Sequence, residues 1–264
     1  KIAEEIGDKK AVGRSYNNIG LIYDNQGNYE KALEYHKKSF KIKEELGDKR
    51  GMGNSYNNIG NIYKDQGNYE KALEYYEKSL KIDEELGDKS GMGSSYNNIG
   101  VIYQNQGNYE KALEYYEKSL KIDEELGDKR GMGKSYGNIG LIYDNQGNYE
   151  KALEYYEKSL KIKEEIGDKR GMGASYNNIG IIYKEKGNYE KALEYYEKSL
   201  KIDEELSDKR GMGNSYNNIG NIYQDQGNYE KALDYLLKAK KIYEEINVIT
   251  GLDKTAKALM EVYE

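Results

Sequence analysis

Forty residues separate each glycine of the series Gly20, Gly60, Gly100, Gly140, Gly180 and Gly220. The same interval separates Ala32, Ala72, Ala112, Ala152, Ala192 and Ala232. One stretch runs through both series with few changes, GDKRGMGNSYNNIGNIYKDQGNYEKALEYYEKSLKIDEEL as it stands at 47–86. A strict period of this size predicts a solenoid, in which each unit buries its apolar face against the next. Units are expected at 9–48, 49–88, 89–128, 129–168, 169–208 and 209–248. Residues 1–8 are expected to end a truncated preceding unit, since KIAEEIGDK matches KIDEELGDK at 81–89. Residues 249–264 are expected to form a capping helix.

Each unit carries two helical patterns. Tyr16, Ile19, Gly20 and Tyr23 recur at i, i+3, i+4 and i+7, the stripe of an amphipathic helix. Gly27 is placed to close that helix in the left-handed conformation, and Asn28 to cap the next one. The second helix carries Ala32, Leu33, Phe40 and Ile42 and is expected to run to Leu46, with Gly47 and Asp48 repeating the stop and cap. Glu74–Lys78 and Glu77–Lys81 set acid before base at i, i+4 on its outer side. The absence of proline leaves nothing to force a kink. The expected fold class is therefore all-α, a solenoid of antiparallel helix pairs. Gly60 and Ala72 are expected where neighbouring backbones approach closely.

The last segment departs from the pattern. Ala256, Leu259, Met260 and Tyr263 take the slots of Tyr216, Ile219, Gly220 and Tyr223. Met260 in place of glycine implies that no further helix packs there. Leu236 and Leu237 replace the usual Tyr-Glu and offer apolar surface for this helix to cover.

Composition matters for what it opposes. A mean hydropathy of −1.02 with 33% charged residues leans toward disorder, yet disordered chains lack an organised apolar stripe. Tyrosine, with 30 copies against one Phe and no Trp, supplies much of the buried volume. The net charge of −6 mixes 41 basic and 47 acidic side chains at short range. No basic block exists to neutralise phosphates, so nucleic acid is not an expected partner. No run of apolar residues is long enough to span a membrane, and none is expected to engage one. Absence of cysteine fits a reducing compartment, and a cytoplasmic location is expected.

The pattern resembles the tetratricopeptide repeat (TPR) family. In the second unit Tyr56, Ile59, Gly60, Tyr63, Gly67, Tyr69, Ala72 and Tyr76 match its aromatic, Ile/Leu, Gly, Tyr, turn-Gly, Tyr, Ala and aromatic positions. Ser79 stands where the family often has Ala, the usual proline between repeats is missing, and the unit exceeds the common length of about 34 residues. In length it is similar to the repeats of kinesin light chains, Pins-type polarity adaptors and bacterial sensory proteins. The resemblance implies a right-handed superhelix that binds a peptide or helix of a partner protein along its inner, first-helix surface.

Comparing the units with one another locates the candidate contact residues. The second helix reads as nearly uniform, and the first varies at a few slots. Arg14, Asn54, Ser94, Lys134, Ala174 and Asn214 share one. Leu21, Asn61, Val101, Leu141, Ile181 and Asn221 share another. Asp24, Lys64, Gln104, Asp144, Lys184 and Gln224 share a third, with Asn25 and its counterparts beside it. At 100° per residue these slots form one stripe, away from the Tyr16–Ile19–Gly20–Tyr23 face. Variation there is read as ligand recognition, the alternative being drift at exposed positions. Beside the stripe, Asn18, Asn58, Asn98, Asn138, Asn178 and Asn218 occur in every unit. Asn17, Asn57, Asn97, Asn177 and Asn217 precede them, with Gly137 the exception. Two adjacent asparagines per helix carry a propensity cost that asks for a reason. Their amides suit an extended peptide backbone; equally, one Asn of each pair can bond the neighbouring unit. Leu21, Val101, Leu141 and Ile181 offer apolar pockets. A carboxylate clamp fits poorly: Asn61, Asn98 and Lys134 fill part of it, but Asn57 and Asn138 stand where Lys and Arg are needed.

Catalytic and metal motifs find no support. RGMGKS at 130–135 mimics a phosphate loop, but the glycine required five residues before Gly133 is Asp128. His36 holds a slot that is Tyr in most units and reads as a packing substitution. Paired acids such as Glu84–Glu85 recur on a solvated face, where a catalytic pair needs a unique, shielded setting. The Asp24–Asn28 turn lacks the spaced acids of a calcium loop. No enzyme, cofactor or metal is expected. Protein or peptide is the expected partner, with a structural, head-to-tail self-associating module as the alternative.

Overall fold

Turn chemistry sets the helix ends. In the computed structural model, which describes residues 8–263, Gly27 and Gly47 adopt φ of 70° and 65°. Next to them, Asn28 accepts from the Lys31 N–H at 3.3 Å and Asp48 from the Gly51 N–H at 2.9 Å. This stop-and-cap device recurs along the chain. In two places a residue other than glycine takes the left-handed position, Ser207 and Asn247, each with φ 54°. The expected remnant at 1–8 lies, apart from Asp8, outside the described residues.

The chain divides into two compact units, residues 1–128 and 129–264. The first holds α1 (Lys9–Asn25), α2 (Tyr29–Glu45), α3 (Lys49–Asp65), α4 (Tyr69–Leu86), α5 (Lys89–Asn105) and α6 (Tyr109–Leu126). The second holds α7 (Lys129–Asn145), α8 (Tyr149–Glu165), α9 (Lys169–Glu185), α10 (Tyr189–Glu205), α11 (Lys209–Asp225), α12 (Tyr229–Glu245) and α13 (Ile249–Tyr263). Within each unit every helix packs on the next, so antiparallel pairs stack into a solenoid. The described residues contain helices and no strand, as the periodicity requires.

The core sits between successive pairs. Ala72 and Tyr76 of α4 are buried against Ile99 and Ile102 of α5. Ala152 and Tyr156 of α8 meet Ile179 and Ile182 of α9 in the same way. Ala192 and Tyr196 of α10 meet Ile219 and Ile222 of α11. Each fully buried Ile contributes about 1.5–3 kcal/mol, so the stack is held by many equal junctions. A second polar seam ties each pair internally: Ser79 donates to the Gly53 carbonyl at 3.0 Å, and Ser159 to that of Gly133 at 2.7 Å. That bond gives the serine at the family's Ala position a purpose.

The glycine of the first helix marks a close approach. A Cβ on Gly60 would lie 2.7 Å from the ring of Tyr76, and one on Gly100 2.7 Å from that of Tyr116. The missing side chain makes room for a tyrosine ring of the same pair, and at Gly220, where Leu236 replaces the tyrosine, the Leu236 backbone nitrogen is 3.3 Å from the Cβ position. At the C-terminal end Leu236 packs on Ala258 and Leu259, whereas Leu237 stays exposed.

Candidate functional site

Each first helix turns its varying slots outward. Arg14, Asn54, Ser94, Lys134, Ala174 and Asn214 are exposed. Leu21 is exposed, whereas Asn61, Val101, Leu141, Ile181 and Asn221 are half-buried, as are Asp24, Lys64, Gln104, Asp144, Lys184 and Gln224. The asparagine pairs are half-buried too, with two exceptions: Asn18 is exposed, and Asn97 is only 4% exposed.

The asparagines form a ladder from one pair of helices to the next. In the first unit the Asn58 amide donates to Asn17 Oδ1 at 3.0 Å and the Asn98 amide to Asn57 Oδ1 at 3.4 Å. In the second unit Asn218 donates to Asn177 Oδ1 at 2.8 Å, and Thr255 of α13 donates to Asn217 Oδ1 at 3.0 Å. Asn57 also donates to Ser79 Oγ at 2.9 Å, joining the ladder to the polar seam. Bonding to the neighbouring helix pair is thus the first task of these amides. A primary amide has two N–H groups and a two-lone-pair oxygen, so such a bond uses part of its capacity.

Two variable slots also serve the core. Tyr76 donates its hydroxyl to Asn61 Oδ1 at 2.7 Å, and Tyr116 donates to Gln104 Oε1 at 2.6 Å. In the fourth pair the corresponding residues are Leu141 and Asp144, and the buried hydroxyl of Tyr156 has no partner. Burial, followed by the nearby Glu185, raises the Asp144 carboxyl above its ordinary range. Burial, followed by Asp65, does the same to Asp24. His36, wholly buried over Gly20, has both ring nitrogens unpartnered and is held down to about 4 by burial and then Lys43. It is a neutral packing residue.

Sequence comparison passed over one column of the second helix, occupied by Lys43, Asp83, Asp123, Lys163, Asp203 and Tyr243. Lys43 donates to Ser55 Oγ and Lys163 to Ser175 Oγ, each at 2.9 Å. Ser95 instead donates to Asp83 at 3.2 Å, and Ser215 to Asp203 at 3.1 Å. Burial lowers the lysines and raises Asp83 and Asp203 from their ordinary ranges. The reversal of sign along this column was the signal available in the sequence.

Three recesses open in the second unit. One of about 260 Å³ is lined by Arg170, Ala174, Asn177, Asn178, Asp203, Asp208, Arg210 and Asn214. One of about 330 Å³ surrounds Gly137, with Arg130, Lys134, Asn138, Leu141, Lys163, Asp168 and Asn178. A third, of about 340 Å³, includes Lys184, Asn217, Asn221, Gln224, Lys257 and Glu261. Most of the expected contact residues of the second unit lie along these recesses, while Asp144, Ile181 and Asn218 line none of them. Among the described residues no cluster of three or more acids and histidines is placed to hold a metal ion. No helix among them is long and apolar enough to cross a membrane.

The tetratricopeptide repeat family model matches residues 11–85, 91–165 and 171–245. No curated protein matches the sequence. Similar solved structures include BtubC (BKLC) from P. vanneervenii, 22% identical with TM-score 0.75, covering 83% of this chain and 92% of that one. The signal transduction ATPase with a tetratricopeptide repeat sensor from Pyrococcus horikoshii is 25% identical with TM-score 0.75, covering 95% of this chain and 42% of that one. A Rap protein complexed with Competence and Sporulation Factor is 17% identical with TM-score 0.68, covering 94% of this chain and 74% of that one.

Proposed function

We propose a function from one premise: the chain belongs to the tetratricopeptide repeat family. Repeats of this family generally serve as non-catalytic scaffolds for protein–protein interaction. In our reading this chain is such a scaffold, without enzymatic activity of its own, and acts in the cytoplasm. Six helix-pair units over 9–248 present first-helix faces that bind an extended peptide or helix of a partner, and 249–264 caps the array. The Rap protein complexed with Competence and Sporulation Factor supports a ligand-binding role for this architecture.

One observation carries the reading. Units that are otherwise nearly identical differ at the slots of Arg14, Leu21 and Asp24, and those slots are exposed or half-buried beside the asparagine ladder. Asn61 and Gln104 are tied to the junction tyrosines, whereas apolar residues at these slots, such as Leu141 and Ile181, leave the tyrosine hydroxyls out of any ligand contact. The unused donors and acceptors of the ladder suit a peptide backbone, and Val101, Leu141 and Ile181 supply apolar contacts.

Peptide display against the full chain tests this, with a companion in which Leu141 and Ile181 are changed to Asn, the residue at the same slot in Asn61 and Asn221. That variant keeps a side chain the fold already accepts. Selective binders that weaken with the variant support the groove; binders indifferent to it, or none, count against it. The second reading is head-to-tail self-association through the near-identical faces of the helix pairs. Light scattering that shows mass growing with concentration supports that second reading, and a constant monomer mass removes it.

A further inference from the structure

Helix α13 carries two stripes of small and apolar residues, and the solenoid covers one of them. Gly251, Thr255, Ala258 and Leu259 are buried, with Ala258 and Leu259 packed on Leu236 of α12. Ile249, Ala256 and Met260 share another side, within about 40° of one another at 100° per residue. There Ile249 is 72% and Met260 67% exposed, and Ala256 is exposed as well. Leu252 stands half-buried at the edge of this stripe.

Register identifies the open side. Ala256 and Met260 hold the slots of Tyr216 and Gly220, which face the second helix of their own pair. Tyr216 lies against Tyr235 at a ring separation of 6.1 Å, and a Cβ on Gly220 would lie 2.8 Å from Leu236. The open stripe of α13 is therefore the seat of an antiparallel helix. A second helix of the array's own kind does not fit it, since Met260 fills the space that glycine leaves for Leu236 or a tyrosine ring in the other pairs. The seat needs a helix with a small residue at its centre and apolar side chains around it.

A second copy of α13 meets that description. Turned antiparallel about Ala256, it sets Ala256 against the partner's Ala256 and Met260 against the partner's Leu252. Asp253 and Lys257, both exposed, lie one turn apart on one flank of the stripe. The same rotation brings Asp253 to the partner's Lys257 and Lys257 to the partner's Asp253. Such a contact uses the same patch on both chains and closes at two.

We infer that α13 is a dimerisation helix: two copies of this chain pair antiparallel through Ile249, Ala256 and Met260, with Asp253–Lys257 ion pairs across the twofold. A single helix pair lies at the small end of protein interfaces, so the dimer forms with a Kd of about 10–100 μM. The pairing makes the scaffold bivalent and is independent of what its first-helix faces bind. It differs from head-to-tail growth because it ends at two chains.

Sedimentation equilibrium of the full chain from about 2 to 500 μM tests this. The mass should rise from that of the 30.3 kDa chain to twice that value and level there. Met260→Glu, at a position open to water, should weaken the dimer at least about tenfold and leave the melting temperature of the dilute chain unchanged. Asp253→Lys alone and Lys257→Asp alone should each weaken it too, because like charges then meet. An equimolar mixture of these two variants should dimerise again, since each chain then supplies the charge that the other needs. A variant that only damages the fold cannot recover in this way. A monomer at every concentration, a mass that climbs past two chains, a dimer indifferent to Met260→Glu, or single variants that do not complement each other overturns the proposal. Met260 lines none of the three recesses, so loss of the dimer and loss of peptide binding are read with different variants.

Discussion

The side-chain amide of Asn58 donates to the side-chain carbonyl of Asn17, 41 residues earlier and 3.0 Å away. The bond crosses from one helix pair to the next, so it belongs to the stability of the stack. Asn17→Ala and Asn58→Ala should each destabilise by about 1 kcal/mol, and the double variant by clearly less than their sum. Urea unfolding of the four proteins in this cycle measures it. Strict additivity would sink the idea that the two amides work as a pair.

His36 is a built-in acid sensitivity. An ordinary imidazole titrates near 6.5, whereas burial, followed by Lys43, holds this one down to about 4. Below pH 6.5 the unfolded chain takes up a proton that the folded chain refuses. Stability therefore falls between pH 6.5 and about 4, by about 3 kcal/mol from this residue, and is unaffected above that window. His36→Tyr, which copies the tyrosine of Tyr76 and Tyr116, should flatten the melting temperature across the same window. Parallel pH profiles for both proteins would refute it.

Gly100→Ala places a methyl 2.7 Å from the Tyr116 ring, which is packed between helices and has nowhere to swing. The cost should be about 1–3 kcal/mol. Pairing the change with Tyr116→Leu, the arrangement of Gly220 and Leu236 with a methyl added, should not rescue it, since Leu236 also approaches a Gly220 Cβ to 2.8 Å. Chemical denaturation reads both.

Asp144→Gln should stabilise. Gln104, at the same slot, accepts from Tyr116, whereas the Tyr156 hydroxyl has no partner and Asp144 is raised by burial and then by Glu185. A raised folded pKa means that the ionised carboxylate opposes folding: the favourable contribution is present at low pH and lost as pH rises through the folded value. The gain from glutamine, about 1–2 kcal/mol, should appear at pH 7 and shrink at pH 3. A gain that is the same at both pH values would point away from the carboxylate.

Ser207 stands at φ 54°, where Gly47 and Gly87 stand at 65° and 64°. The left-handed conformation costs a side-chain-bearing residue about 1 kcal/mol that glycine does not incur. Ser207→Gly should raise the melting temperature, and a fall would show that the hydroxyl does more than the backbone loses.

The helices and their faces were legible because burial imposes a period, and Ile59, Ala72 and Tyr76 keep it. The neighbour that each small residue accommodates was not: the spacing of Gly60 marks a close approach without saying that the ring of Tyr76 lies nearest to it. The asparagine pair announced a polar role but left its partner open, since a hydrogen bond between side-chain amides 41 residues apart leaves no trace in local pattern. The column of Lys43 and Asp83 was missed for a related reason. A charged residue on a helix reads as solvated until the serine of the next pair is seen beside it.

That serine has a wider meaning. Ser55 accepts from a lysine, while Ser95 donates to an aspartate, through the same hydroxyl at the same place. A hydroxyl that works in either direction lets a joint accept either kind of neighbour. A helix pair carrying lysine in this column and one carrying aspartate can therefore meet the same serine without leaving the charged group unpartnered.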